Sequence, residues 1–496
     1  MGKNLIYRNI VCSVFLQIVT IISGFVIPKV ILTYFGSSVN GLISSINQFL
    51  NYIQLLEGGL SGVIMAALYK PLTEHDNERV SSIIKASQNF FYKIGVIYVF
   101  YALVLAFSYP NIVDTGFNFN YSFALVLVLT LNLIIQYFFS LSYKLLLNAD
   151  RKVYYVSITQ IIIVIINMLS VVLTARLFHD VLLLKLFSGI IFFIQPIMYR
   201  AYVNKHYKLN KSVKPDSGAI KQRWDGFGIN LAYFIHTNTD VIILTFFSTL
   251  ANVSVYAIYL MIVSALKNLV ISVSQAITPS FGNSLAFEDA GTVNNKFDQY
   301  EYGLSVVTVF LFGCGIVLIT PFVDVYTKGI NDANYHQLFF GVILCLAEMV
   351  YCLREPYVSA AYSVGHFKQV SKYAYVEAIL NLVISLLLVR KYGIIGVALG
   401  TLLSMIYRLV CHIFYLSNNI LFRPVGKAFR SISVNIINIT LICILSFSFF
   451  NMNCNTYWQW FLLAIRVVII DIIVVIGSSF IFERNNLKVL LSRFKK

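Results

Sequence analysis

About fourteen times along this chain, an apolar run of roughly 20 residues or more gives way to a short polar one. The runs lie near 9–35, 41–69, 83–108, 121–147, 154–178, 182–203, 226–247, 253–285, 299–322, 335–362, 369–389, 394–417, 431–450 and 458–482. Some 20 apolar residues in a helix reach about 30 Å, the thickness of a bilayer's hydrocarbon core. No connection exceeds about 22 residues, which leaves no room for an inserted soluble domain. The expected fold is an all-α polytopic membrane protein, because helices satisfy their own backbone groups inside lipid. Charged residues are only 12% of the chain and its mean hydropathy is +0.78. Soluble domains carry about twice that charge.

The second run shows that these spans do more than cross. Asn47, Asn51, Gln54, Gly58 and Ser61 recur at helical spacing and form a polar, small-residue stripe, with Glu57 at its edge. A carboxylate near mid-membrane must face a bundle interior or a wet cavity, so this span has a lipid side and a cavity side. Other spans repeat the pattern: Ser13, Gln17, Thr20, Gly24 and Pro28 in the first, and Gln160, Asn167 and Thr174 in the fifth. Asn230, Tyr233, Thr237 and Asp240 align in the seventh, and Tyr256, Ser264, Lys267, Ser274 and Thr278 in the eighth. One stripe alone reads as interhelical hydrogen bonding; five together favour a shared polar cavity.

Lys and Arg set the orientation. With the N-terminus in the cytoplasm, 26 of the 37 cationic residues flank inner segments, five flank outer ones and six lie inside spans. That bias predicts both termini inside and an even number of spans. The formal net charge of +16 is thus a membrane-topology signal and does not call for nucleic acid. The most basic inner connection, NKHYKLNKSVKPDSGAIKQR at 204–223, reads as a solvated linker near anionic headgroups, or as a hinge between two halves. PKVILTYFG at 28–36 resembles DVIILTFFS at 240–248, each closing the first span of its half. This suggests two related six-span lobes, a common transporter plan. The expected divisions are 1–203 for the first lobe, 204–225 for the linker, 226–417 for the second lobe, and 418–496 for two further helices and a basic tail.

Twelve charges fall inside spans and clear of their ends: Lys29, Glu57, Lys93, Asp240, Lys267, Glu348, Arg354, Glu355, Glu377, Arg408, Arg466 and Asp471. At roughly 3 kcal/mol each, twelve unpaired charges would cost about 36 kcal/mol, so most must pair, snorkel or line water. Lys29, Arg408 and Arg466 are placed to snorkel; Lys93 and Lys267 sit near mid-span, where that is hardest. The tenth span is the densest, LAEMVYCLREPY at 346–357, with Glu348, Tyr351 and Glu355 on one face and Pro356 to kink it. It reads either as a Glu–Arg network that fixes the kink or as an ion-responsive gate. His236 is a hydrogen-bonded packing group or a protonation site. The seven cysteines show no CxxC and no Cys/His cluster, which argues against a disulfide framework or a metal site. The first 34 residues imitate a signal peptide, but the run is too long, Pro28-Lys29 interrupts it and no cleavage site follows, so it is expected to be an uncleaved span.

Several motifs resemble bacterial polysaccharide-biosynthesis flippases, the Wzx-like branch of the MATE-like superfamily. They are RNI at 8–10, Gly41-Leu42, LLEGGLSGVI at 55–64, LYKPL at 68–72 before acidic residues, NTDVIIL at 238–244 and VSVYAIY at 253–259. The resemblance implies two six-helix lobes about a central cavity, with two extra C-terminal helices. It implies a non-enzymatic role without cofactor or metal: moving a polyprenyl-diphosphate-linked oligosaccharide across the plasma membrane to the machinery that polymerises it. A diphosphate needs cations. Lys93 and Lys267 would supply one from each lobe, with Arg354 and Arg408 as further cavity cations. Gln17, Asn47, Asn51, Gln54, Asn230, Tyr233 and Thr237 suit the sugar, while the lipid tail stays among membrane lipids. Glu57, Asp240, Glu348, Glu355 and Glu377 are the candidate coupling or gating acids for H+ or Na+, with Glu57 and Glu348 favoured.

Related classes fit less well. Lipid II flippases carry an early Arg-Asp pair where this chain has Pro28-Lys29, and multidrug exporters of this fold usually carry an acid in the first span. A membrane glycosyltransferase or polymerase needs a catalytic acid or metal-binding loop outside lipid, yet the largest outer connections are only about 12 residues and hold no D-x-D. No nucleotide-binding G-x-x-x-x-G-K-[ST] occurs, so ATP is not the direct fuel.

Overall fold

The computed structural model describes residues 2–57, 60–210, 212–216, 218, 227–484 and 486–488, and among them no strand occurs. The chain divides into two compact units, Met1–Phe234 and Ile235–Lys496.

The first unit begins with α1 (Gly2–Asn51), which continues through a 3-10 turn (Tyr52–Glu57) towards α2 (Leu60–Thr73). It is one long apolar stretch bent at Gly36, where φ is 84° and ψ 175°. An L side chain would be strained at that φ, so the glycine decides where one span stops and the next starts. Then follow α3 (Asn77–Ile112), α4 (Phe119–Ile135) and α5 (Leu141–Ala149), the last two joined through a π-helical turn at Gln136–Ser140. The unit closes with α6 (Val153–Phe178), α7 (Val181–Ile191) and α8 (Ile194–His206). Asp76 caps α3 by accepting from the Arg79 amide, and Asp180 caps α7 by accepting from the amides of Leu182 and Leu183. α1 packs on α6, and α4 packs on α3 and α7.

The second unit takes most of α9 (Phe227–Phe247), then α10 (Leu250–Phe287), α11 (Ala290–Tyr326), α12 (Leu338–Ser363), α13 (Phe367–Asn419), α14 (Val425–Phe449) and α15 (Tyr457–Phe482). α11 is its hub, touching α10, α12, α14 and α15. Accordingly 67% of its most apolar window is buried, far more than in the other spans. α13 repeats the device of α1: it bends at Gly393, where φ is 54°. Past the bend its two arms approach so closely that a Cβ on Gly400 would lie 2.2 Å from the Ser385 hydroxyl.

Among the described residues, ten helical stretches are long and apolar enough to cross a membrane. Two of them, Tyr7–Glu57 and Phe367–Asn419, bend at a glycine and hold two spans each. α12 has the length but also carries Glu348, Arg354 and Glu355, and α9 supplies the shorter apolar stretch Asn238–Phe247. With two counted twice and these two added, ten becomes fourteen, the expected number. The protein is a multi-pass, all-α membrane protein. Gly58, Gly59 and residues 219–226 of the basic connection lie outside the described residues, as do the side chains of Asn230, Tyr233, His236 and Thr237.

Candidate functional site

The second unit buries a row of charges. Lys267 on α10 and Glu348 on α12 form an ion pair at 3.0 Å. Its ammonium stands 5.1 Å from the centre of the Tyr351 ring, and the Arg354 guanidinium is 4.6 Å from the same centre. Both cations lie within cation–π reach of this ring. Arg354 donates to Glu377 Oε1 at 2.7 Å, and Arg408 donates to Glu377 Oε2. Glu377 is fully buried, Arg354 is 2% and Arg408 6% exposed. Glu355 is half-buried within electrostatic reach of both arginines. Lys267, Arg354 and Arg408 are thus met by Glu348, Glu377 and Glu355. The row reads as the Glu–Arg network that the tenth span suggested, extended by a span on either side. Arg354 and Arg408 clamp one carboxylate, and Arg408 does not snorkel. His412 completes the layer, its Nδ1 2.9 Å from the Arg408 carbonyl and its ring against Tyr373.

One layer away lies an oxygen cluster. Asp240, 6% exposed, accepts from the Tyr256 phenol at 2.6 Å and the Thr401 hydroxyl at 2.7 Å, both on Oδ2. The Asn381 amide donates to Thr401 Oγ1 at 2.9 Å and approaches Asp240 Oδ1 at 3.4 Å. Asn381 Oδ1 is buried and finds no hydrogen-bond partner among the described residues. The Ser385 hydroxyl donates to the Val397 carbonyl at 3.3 Å. Asp240 is thus ringed by donors, the Tyr256 and Thr401 hydroxyls and the Asn381 amide NH2, while the Asn381 amide oxygen is left open. Buried polar atoms are normally satisfied, so the open lone pairs of Asn381 mark the place where a turned amide, or a proton on Asp240, would change the bonding. Of these residues only Asp240 and Tyr256 stood out in the sequence. Asn381 and Ser385 are four residues apart, as are Val397 and Thr401, but each pair alone is ordinary helix.

The first unit holds fewer charges, differently placed. Glu57 Oε1 accepts from the Tyr137 phenol at 2.7 Å, with Lys144 in electrostatic reach. The Tyr137 ring leans on Tyr98 at 5.9 Å, and the Tyr98 hydroxyl is buried without a hydrogen-bond partner among the described residues. Gln17, Asn47 and Gln54 are exposed, Asn51 is half-buried, and Gln54 donates to Asn51 at 3.3 Å. Lys93 is also exposed, on a face of α3 that shows Tyr92, Val96, Ile97 and Phe100. A lysine there must meet water or an anion, since lipid alone would be costly.

Two further networks escaped the sequence reading. Arg423, in the bend between α13 and α14, bonds Asp298 at 2.5 Å and Glu301 at 2.8 Å, and the Tyr357 phenol donates to Glu301. Burial pulls its pKa down, but Glu301, Tyr357 and Asp298 together outweigh this and raise it above the usual guanidinium value. Asp471 on α15 is fully buried and accepts from the Cys314 thiol at 3.1 Å.

No family model and no curated protein matches the sequence. Solved structures do match. The lipid II flippase MurJ, in an inward closed conformation, superposes with a TM-score of 0.72 at 17% identity, over 97% of this chain and 99% of that one. The MATE multidrug transporter DinF-BH, solved as a complex with a small molecule, gives 0.60 at 15% identity, over 85% of this chain and 97% of its own. A multidrug resistance MATE family transporter of the MOP superfamily, in an inward-facing conformation, gives 0.57 at 12%, over 81% and 95%. The chain shares its fold with the lipid II flippase over 97% of its length and with these MATE transporters over 85% and 81%.

Proposed function

We propose that the protein flips a polyprenyl-diphosphate-linked oligosaccharide across the bacterial plasma membrane by alternating access, without acting as an enzyme. The observation that carries this reading is coverage. The flippase neighbour matches 97% of the chain, while the two exporters stop at 85% and 81%. The shortfall has the size of α14 and α15 with their flanks, so the chain is as long as a lipid flippase and longer than a drug exporter. In this reading 1–203 and 226–417 are the two lobes, joined by the basic linker 204–225, and both termini are cytoplasmic. Lys93, exposed on the first unit, meets the diphosphate. Lys267, Arg354 and Arg408 are further cations that the diphosphate would draw on by exchanging with the carboxylates of the paired row. Gln17, Asn47, Asn51 and Gln54, with Asn230, Tyr233 and Thr237, take the sugar. Polysaccharide polymerase machinery consumes the product outside.

Asp240 is the coupling acid that the geometry favours, with H+ or Na+ shared among Asp240, Asn381 and Thr401. Glu348, Glu355 and Glu377 serve the charged row, and Glu57 is a second candidate in the first unit. An inside-negative potential adds about 2.3 kcal/mol per charge per 100 mV for moving the diphosphate outward.

The test is purified protein in liposomes carrying a polyprenyl-diphosphate glycan, probed with an impermeant glycan-cleaving enzyme. Flipping raises the cleavable fraction from the outer leaflet's share toward the whole. Transport of a cationic dye with no change in glycan accessibility would make the protein an exporter instead.

A further inference from the structure

In the first unit a cavity of about 540 Å³ opens beside the π-helical turn, between α3, α5 and α8. That volume lies within the roughly 300–1,000 Å³ that holds a small ligand or part of a larger one. Its rim is apolar and open: Tyr92, Phe139, Phe193 and Ile197 are all exposed. Among the described residues one charged side chain lines it, Arg200, with the amides of Gln88 and Asn89. Its floor holds Ser140, which is 1% exposed and whose hydroxyl has no hydrogen-bond partner among the described residues. The π turn widens the helix by one residue at this point, a distortion that recurs at functional sites. Gly95 completes the shape. A Cβ there would meet the Phe138 ring at 2.7 Å, so the glycine lets Phe138 lie back on α3 and leaves the space open.

We propose that this cavity binds an anionic phospholipid of the surrounding bilayer, its phosphate at Arg200 and one acyl chain along Phe138, Phe139 and Phe193. A soluble anion would make no use of the aromatic rim, and a cationic drug would meet Arg200. A zwitterionic lipid carries its own ammonium and competes poorly for the one charged position. Tyr137 also lines the cavity while its phenol holds Glu57. Occupancy therefore bears on Glu57, the half-buried carboxylate that Tyr137 holds, whatever cargo the protein carries.

The experiment uses the full chain in liposomes with phosphatidylglycerol or phosphatidylcholine probes bearing a photoactivatable group in one acyl chain. Labelled peptides are then mapped by mass spectrometry. The phosphatidylglycerol probe is expected to label peptides 136–143 and 193–200 above the exposed Ile436 and Ile437 face of α14. Arg200→Gln should lower the phosphatidylglycerol preference roughly five-fold, the effect of one cation beside an anionic headgroup, and Arg200→Lys should keep it. Ile197→Trp, at an exposed position, should narrow the mouth and reduce both labels. Labelling equal to that of α14, or a preference untouched by Arg200→Gln, would leave only an annular lipid and overturn the proposal.

Discussion

Lys93 and Lys267 look like a matched pair in the sequence, one mid-span lysine in each half, yet the two units treat them in opposite ways. Lys267 is locked at 3.0 Å from Glu348 in a row that runs on to Glu377 and Arg408. Lys93 stands exposed on an apolar face of α3. A charge buried with partners holds helices together and is costly to disturb; an exposed one is available to something that arrives. The second unit thus holds its mid-span lysine in a paired row, and the first leaves its own exposed.

The hardest blow to this contrast falls on Glu377. Glu377→Gln leaves Arg354 and Arg408 buried and facing each other, and breaking a buried ion pair from one side costs about 3–5 kcal/mol. Membrane abundance and thermal stability in detergent should both collapse; a variant as stable as the parent would show that the row does not hold the unit together. Next comes the lysine pair itself. Lys267→Met alone should destabilise by a few kcal/mol, and Lys267→Met with Glu348→Gln should recover much of that loss. Lys93→Ala should stay within about 0.5 kcal/mol of the parent while flipping is lost. If both lysines cost the same stability, the difference between the units disappears.

A finer test concerns the oxygen cluster. Asn381→Leu removes the open amide oxygen and should abolish dependence of transport on an imposed Na+ or pH gradient, leaving slow downhill flipping. Unchanged gradient dependence would return Asp240 to a purely structural role. The smallest effect is expected at Asp289, the exposed N-cap of α11. Hydrogen bonds from Thr292 hold its pKa below the ordinary carboxylate value. Its contribution is therefore present above the unfolded-state pKa and fades as pH falls through the folded one. Asp289→Ala should lower the melting temperature slightly at neutral pH, and the gap should close in acid.

Much of the fold was legible because span length and apolarity are local properties. The bends at Gly36 and Gly393 both fall in gaps between the expected spans, just after residue 35 and just before residue 394. The partners were not legible, because a partner is chosen across helices. Arg354 and Glu377 are 23 residues apart, and Cys314 and Asp471 are 157 apart. Glu377 could be named as an acid inside a span, but nothing in its neighbourhood of sequence says that two arginines converge on it. Asn381 and Thr401 do not stand out in the sequence for the same reason: each is an ordinary polar residue until the bend between them folds one onto the other.

That bend has a mechanical consequence. Asn381 and Ser385 sit on the arm of α13 before Gly393, and Val397 and Thr401 on the arm after it. A cation held by oxygens from both arms would act as a clasp on the angle between them. Linkage makes the clasp two-way: whatever opens the angle weakens the grip on the ion by the same factor that the ion resists opening. The single glycine at 393 then works as an elbow, and the ion gradient would be felt first as a torque on one helix.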